Sequence, residues 1–177
     1  MAGKATRLEV DVSSERGSRR ETDRDIQIEE IMRPAVTITP DASEREALKV
    51  LLENNVPGVS VVDEEGLLVG FVTDGHLLAS ALPEYLKVMA DVSFVSEAGD
   101  RWVDYFAESA ERPVSEVMST DVSQVEVGAS EVVVAHKMVH DGVSSVVVTE
   151  GGKVVGVVYR LDLFAAVIGV SHNLGDT

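Results

Sequence analysis

The chain has 177 residues, 45% of them hydrophobic, which is enough for one compact domain or two small ones sharing a core. Its formal net charge of −16 repels nucleic-acid phosphates and anionic membranes, so neither partner is expected, and any anionic ligand must be held by local donors against the global field. The absence of cysteine excludes disulfides, thiol catalysis and cysteine-bound metal and fits a cytoplasmic location, while no apolar run nears the roughly 18 residues of a membrane span and no secretory signal is visible.

Residues 1–25 are polar and mixed in charge, with too little apolar content to offset ordering entropy, and are expected to be a disordered tail. Within them Leu8, Val10 and Val12 alternate as a short strand would. Residues 28–32 (IEEIM) read as a helical turn stopped by Pro34, and the chain should run extended from there into a short strand over 36–39. Ser43 followed by Glu46 makes a capping box, and Ala47, Leu48, Leu51 and Leu52 give a helix over about 44–53 its apolar face. Asn54-Asn55 ends it. An apolar run at 59–62, a turn at 63–66 and a partner run at 68–73 predict a β-hairpin. Asp74 is placed to cap a closing helix that carries Leu77, Leu78, Ala81 and Leu82 on its apolar side.

The chain then repeats this order. VSEVM at 114–118 mirrors IEEIM, a short strand follows at 123–126, and Ser130 opens a helix to about His140 that Asp141-Gly142 stops. A hairpin around Gly151-Gly152 and a helix over 162–168 close the second unit. Gly66 matches Gly152, Gly70 matches Gly156 and Leu77 matches Leu163, a spacing of 86 residues, too long for a solenoid repeat of roughly 20–50 residues. Either unit alone has a small core, and two packed sheet to sheet would bury each sheet's second face. Residues 83–112 between them are long for a structureless loop, so a helical insertion is predicted. It holds Tyr85, Phe94, Trp102, Tyr105 and Phe106, either packed on the protein's own modules or anchoring a subunit interface. Residues 170–177 read as a short tail.

The duplicated pattern resembles the cystathionine β-synthase (CBS) domain, and the pair resembles the tandem arrangement called a Bateman module. The residues that carry the resemblance are the openings I-M-R-P and V-M-S-T, the run N-N-V-P-G-V-S-V-V-D, and G-F-V-T and G-V-V-Y leading into helices. The resemblance implies an α/β (α+β) fold of two βαββα units, spanning 26–82 and 113–169, packed sheet to sheet about a pseudo-two-fold axis. It also implies two clefts that take adenosine-containing ligands such as AMP, ADP, ATP or S-adenosylmethionine. It implies a flat homodimer, a regulatory role and an unidentified protein partner. No required cofactor follows, and with no catalytic domain in view the chain is not expected to be an enzyme by itself.

The family's ligand signature is a Thr or Ser followed, three positions later, by an Asp, where the last strand meets the last helix. The carboxylate accepts from ribose hydroxyls, and the hydroxyl and helix start donate to phosphate. Each unit here keeps half. The first has Thr73 with His76 where Asp belongs, and the second has Asp162 with Tyr159 where Thr belongs. Asp162 is the stronger candidate for ribose, with Arg160 placed to meet phosphate and Tyr159 offering a hydroxyl or stacking face; the plainer alternative makes Asp162 a capping residue. For His76 the alternative is an exposed residue in a first helical turn. The matching base-pocket positions are Thr37, Ile38, Val56 and Pro57 in the first unit and Ser123, Gln124, Val143 and Ser144 in the second, and the sequence leaves open which cleft each set serves. His136 and His140 have a metal-compatible i,i+4 spacing without an evident third ligand, so no metal is expected. A structural dimerisation module with empty clefts is the competing function.

Overall fold

The computed structural model describes residues 26–89, 104–105 and 107–170. The expected tail at 1–25, all but Val170 of the expected tail at 170–177, and Phe94, Trp102 and Phe106 of the insertion lie outside the described residues.

Local chemistry sets the first unit. A helical turn α1 (Ile28–Ile31) ends before Pro34, and the chain then forms two short strands, β1 (Arg33–Pro34) and β2 (Thr37–Ile38). Helix α2 (Glu44–Asn54) carries the expected capping box: the Glu46 N–H donates to Ser43 Oγ at 3.2 Å, and the Ser43 N–H donates to Glu46 Oε2 at 2.8 Å. It ends at Asn55, which adopts the left-handed conformation (φ 49°). Ala47 and Leu51 are buried, but Leu52, expected on the apolar face, points to solvent. The hairpin β3 (Gly58–Val62) and β4 (Leu68–Thr73) follows, with the Asp63 carboxylate accepting from the Glu65 and Leu67 N–H groups in the turn. Helix α3 (Asp74–Ala81) is capped by Thr73 and not by Asp74, because Thr73 is the last extended residue and its Oγ1 reaches the His76 N–H. Its Leu77 and Ala81 are buried, whereas Leu78 is exposed. A short helix α4 (Glu84–Lys87) opens the insertion.

The second unit follows with a 3-10 turn (Val114–Glu116), strand β5 (Gln124–Glu126), helix α5 (Glu131–His140), the hairpin β6 (Ser145–Glu150) and β7 (Lys153–Tyr159), and helix α6 (Arg160–Ile168). In each unit the short strand runs parallel to the first hairpin strand, and the hairpin is antiparallel. The hairpin glycines Gly66 (φ 80°) and Gly152 (φ 83°) supply the left-handed turn residue in both. The 86-residue offset holds for them, but Val61 pairs with Gly70 and Val148 with Gly156, so the preceding strands lie 87 apart.

The two units exchange their openings, which the periodicity does not reveal. β1 leaves its own unit and pairs antiparallel with β7, giving sheet orders β1-β7-β6-β5 and β2-β3-β4. Reciprocally, Ser119 bridges to Phe71 in β4. Ile28 is fully buried among Val134, Met138, Val146 and Leu163 of the second unit, while Val114 is fully buried in the cluster that holds Ala47, Val59 and Leu77 of the first. That cluster also takes in Val147, Val157 and Tyr159, so the sheets share one core. Met32 packs against Gly156 and Met118 against Gly70, and a Cβ at either glycine would clash with methionine sulfur. The glycines are therefore close-approach positions where the exchanged segment crosses the other unit's last strand.

Candidate functional site

The exchange carries Arg33 and Ser119 to equivalent places, Arg33 opposite Val157 and Ser119 opposite Phe71. Each stands beside the end of the other unit's last strand, where the sheets leave a cleft.

The first cleft is open. Its cavity of about 270 Å³ is lined by Phe71, Thr73 and His76 of the first unit, by Ser119, Asp121, Val122 and Ser123 of the second unit's opening, and by Gly142, Val143, Ser144, Ser145 and Val147. That volume is near the lower end of small-molecule sites, roughly 300–1,000 Å³. The Thr73 N–H donates to His76 Nδ1 at 3.3 Å and Thr73 Oγ1 accepts from the His76 N–H at 3.2 Å. A neutral His76 therefore carries its proton on Nε2, and the Thr73 hydroxyl keeps its own proton to donate. The start of α3 is not an anion site. The Asp74 N–H donates to the Pro57 carbonyl at 3.0 Å, the Gly75 N–H to Asp74 Oδ1 at 2.7 Å, and the His76 N–H is taken by Thr73. On the opposite wall the Ser119 hydroxyl donates to the Asp121 carbonyl, and the Ser123 hydroxyl donates to the Asp141 carboxylate. The Ser123 bond, aided by Lys137, holds the Asp141 carboxyl below the usual carboxylate range. Among the described residues the lining contains no Lys or Arg and a single carboxylate, Asp121.

The second cleft is filled from within. Arg33 Nε donates to Asp162 Oδ2 at 2.8 Å and Nη2 to Oδ1 at 3.0 Å, a bidentate pair. The same guanidinium lies 5.1 Å from the Tyr159 ring centroid. The Tyr159 hydroxyl reaches across to donate to the Gly58 carbonyl at 3.2 Å. Tyr159 and Asp162 are only 7% and 5% exposed. The hydrogen bond to Asp162 raises the Arg33 pKa, and burial pushes the Tyr159 phenol up to about 12, against the nearby Arg33 charge.

The remaining sequence candidates scatter. Ile38 and Val56 are packed in the core, while Thr37, Pro57 and Gln124 are exposed and do not line the first cavity. Arg160 is exposed at the start of α6, its N–H donating to the Ser144 carbonyl at 2.9 Å. Asp162 sits in the first turn of α6, whose N-cap residue Tyr159 makes no side-chain cap, and its carboxylate meets Arg33. Of the predicted set, Thr73, His76, Ser123, Val143 and Ser144 share the first cavity. Sequence reasoning missed Phe71, Ser119, Asp121 and Arg33. The last was findable, because aligning I-M-R-P with V-M-S-T sets Arg33 against Ser119. His136 and His140 stack with ring centroids 5.6 Å apart, and among the described residues no group of three His, Asp or Glu side chains is placed to hold a metal ion. Further hollows of about 320 and 350 Å³, beside Leu82 and Leu78, lie away from the space between the sheets.

The CBS domain family model matches residues 28–82 and 114–169. The chain belongs to the CBS domain family. An uncharacterised protein of Methanocaldococcus jannaschii, MJ1404, is 30% identical over 141 residues; the match covers 79% of this chain and 31% of the relative, so this chain spans less than a third of it. Among solved structures, this CBS pair is similar to the CBS domain pair of protein MJ0100 in complex with 5′-methylthioadenosine and S-adenosyl-L-methionine, with a TM-score of 0.61, 23% identity, and coverage of 82% of this chain and 98% of that one. It is also similar to CBSX2 in complex with AMP, with a TM-score of 0.60, 20% identity, and coverage of 82% and 98%.

Proposed function

We propose that this CBS pair is a regulatory module that binds an adenosine-containing ligand in the first cleft and passes its occupancy to a partner protein through the geometry of a homodimer. The observation that carries the reading is the open cavity between Thr73–His76 and Ser119–Ser145, which joins both units, so that a ligand there touches both at once. A ligand shifts such a module only if it favours one arrangement of the units over another. That adenosine compounds occupy solved relatives of this fold supports the ligand class.

The charge of the cleft narrows that class. With no Lys or Arg among the described lining residues, with the amides of the α3 start engaged and with a net charge of −16, a phosphate group finds few counter-charges. Hydroxyls of Thr73, Ser119 and Ser144 suit ribose and base edges, and Asp121 suits a cation. The cleft is built for an adenosine ligand without phosphate, such as S-adenosylmethionine or 5′-methylthioadenosine, ahead of AMP, ADP or ATP. The competing reading, a dimerisation module with unoccupied clefts, finds support in the second cleft, where Arg33 and Tyr159 take the space.

A thermal-shift series separates these. A ligand bound only by the folded state at about 100 times its dissociation constant adds roughly 2.7 kcal/mol. S-adenosylmethionine is expected to raise the midpoint more than ATP at equal concentration, and Thr73→Val with His76→Ala to remove the rise. A larger rise with ATP would overturn the charge argument, and no rise with any adenosine compound would leave the dimerisation reading.

A further inference from the structure

We propose that Arg33 is a built-in occupant of the second cleft, standing where a ligand would stand, and that the module therefore takes one ligand per chain. The second cleft keeps the outline of a binding site. Asp162 is the residue equivalent to His76, and Tyr159 to Thr73, each pair 86 apart. Ser60 takes the place of Val147, which lines the open cleft: their N–H groups donate to the equivalent carbonyls of Val36 and Ser123. The Ser60 hydroxyl is fully buried and has no hydrogen-bond partner among the described residues, a polar group that the closed cleft leaves unsatisfied.

Into this outline Arg33 brings what a ligand would bring. Its two N–H groups occupy both oxygens of Asp162, the acceptor pair that would otherwise take two vicinal hydroxyls. Its guanidinium lies over the Tyr159 ring, 5.1 Å from the centroid, the face a base could otherwise take. Tyr159 then closes the floor by reaching Gly58. In the open cleft the equivalent residues are Ser119 and Thr73, both too short to cross it. Two side-chain exchanges on one backbone plan, Arg33 for Ser119 and Tyr159 for Thr73, thus account for the filling of the second cleft.

The count of one rests on the reading of the first cleft given above; the closure of the second does not. Equilibrium dialysis against labelled adenosine tests both. The wild type is expected to bind one adenosine per chain. Arg33→Ser with Tyr159→Thr, which writes the residues of the open cleft into the closed one, is expected to bind two, and adding Asp162→Ala to return it to one. Two per chain in the wild type, or one in a folded double variant, would overturn the proposal. No binding by the wild type with one Asp162-dependent adenosine in the double variant would sink the first-cleft reading and uphold the closure by Arg33. Should the double variant fail to fold, Asp162→Asn in the wild type decides: the affinity is expected to stay within about twofold, and a loss of about tenfold would overturn the closure.

Discussion

At the scale of single residues, the Arg33–Asp162 pair sets an unequal balance. Asp162 has a side chain only 4% exposed, whereas that of Arg33 is 24% exposed. If Arg33 is removed, a buried carboxylate loses its bidentate partner. If Asp162 is removed, the guanidinium has a route to water along its own stem. Breaking a buried pair from one side costs roughly 3–5 kcal/mol, most of it the uncompensated charge. Arg33→Ala is therefore expected to destabilise by about that amount, and Asp162→Ala by clearly less. Adding Asp162→Asn to Arg33→Ala is expected to recover part of the loss, since the buried charge is then gone. Urea unfolding of the four proteins measures this, and equal losses for the two single variants would show that Asp162 is not the more deeply committed partner. The pair also marks what the residue signature leaves out. Read as a string, Asp162 is the half of the family motif best suited to ribose. Only the path of β1, which brings Arg33 from 129 positions away, reveals that the carboxylate is already engaged.

At the scale of elements, the helices and hairpins were legible because their signals are local. The Ser43 and Ser130 caps, the stops at Asn55 and Gly142, and the turn glycines Gly66 and Gly152 all act within a few residues. Strand β1 was not legible, because a two-residue strand has no periodicity and its partner lies in the other unit. Its trace in the sequence is the pair of glycines under Met32 and Met118, and these differ in what they tolerate. The nearest atoms a Cβ at Gly70 would meet all belong to the side chain of Met118, which has three rotatable bonds. A Cβ at Gly156 would meet Met32 Sδ at 2.6 Å and also the Arg33 backbone oxygen at 2.9 Å, inside the β1–β7 pairing. Overpacking of this kind costs typically about 1–3 kcal/mol. Gly156→Ala is expected to fall at the upper part of that range and Gly70→Ala at the lower. Because it pushes on the backbone of Arg33, Gly156→Ala is also expected to loosen the filled cleft, seen as faster hydrogen exchange at Val157 and Tyr159. Equal destabilisation by the two alanines would mean that β1 yields as easily as a methionine side chain.

At the scale of the whole molecule, the pseudo-symmetry extends to the outer surface. Leu52 of α2 and Val139 of α5 hold equivalent positions and are 72% and 84% exposed. Leu78 of α3 and Phe164 of α6 are likewise equivalent and exposed, and Leu161 and Ile168 widen the apolar face on α6. Large exposed apolar residues repeated about the internal axis fit a face that a second copy covers, as in the proposed homodimer. Bringing two such chains together sets formal charges of −16 against each other. The apolar face must therefore overcome long-range repulsion, which salt weakens: the Debye length falls from about 10 Å at 0.1 M to about 3 Å at 1 M ionic strength. The dimer is expected to tighten as salt rises, and Leu78→Glu with Phe164→Glu to give a monomer at every salt concentration, both read by sedimentation equilibrium. A dimer that loosens with salt would point instead to ion pairs across the interface. A dimer unaffected by the double glutamate variant would place the contact elsewhere, leaving the aromatic segment at 83–112 as the one to test next.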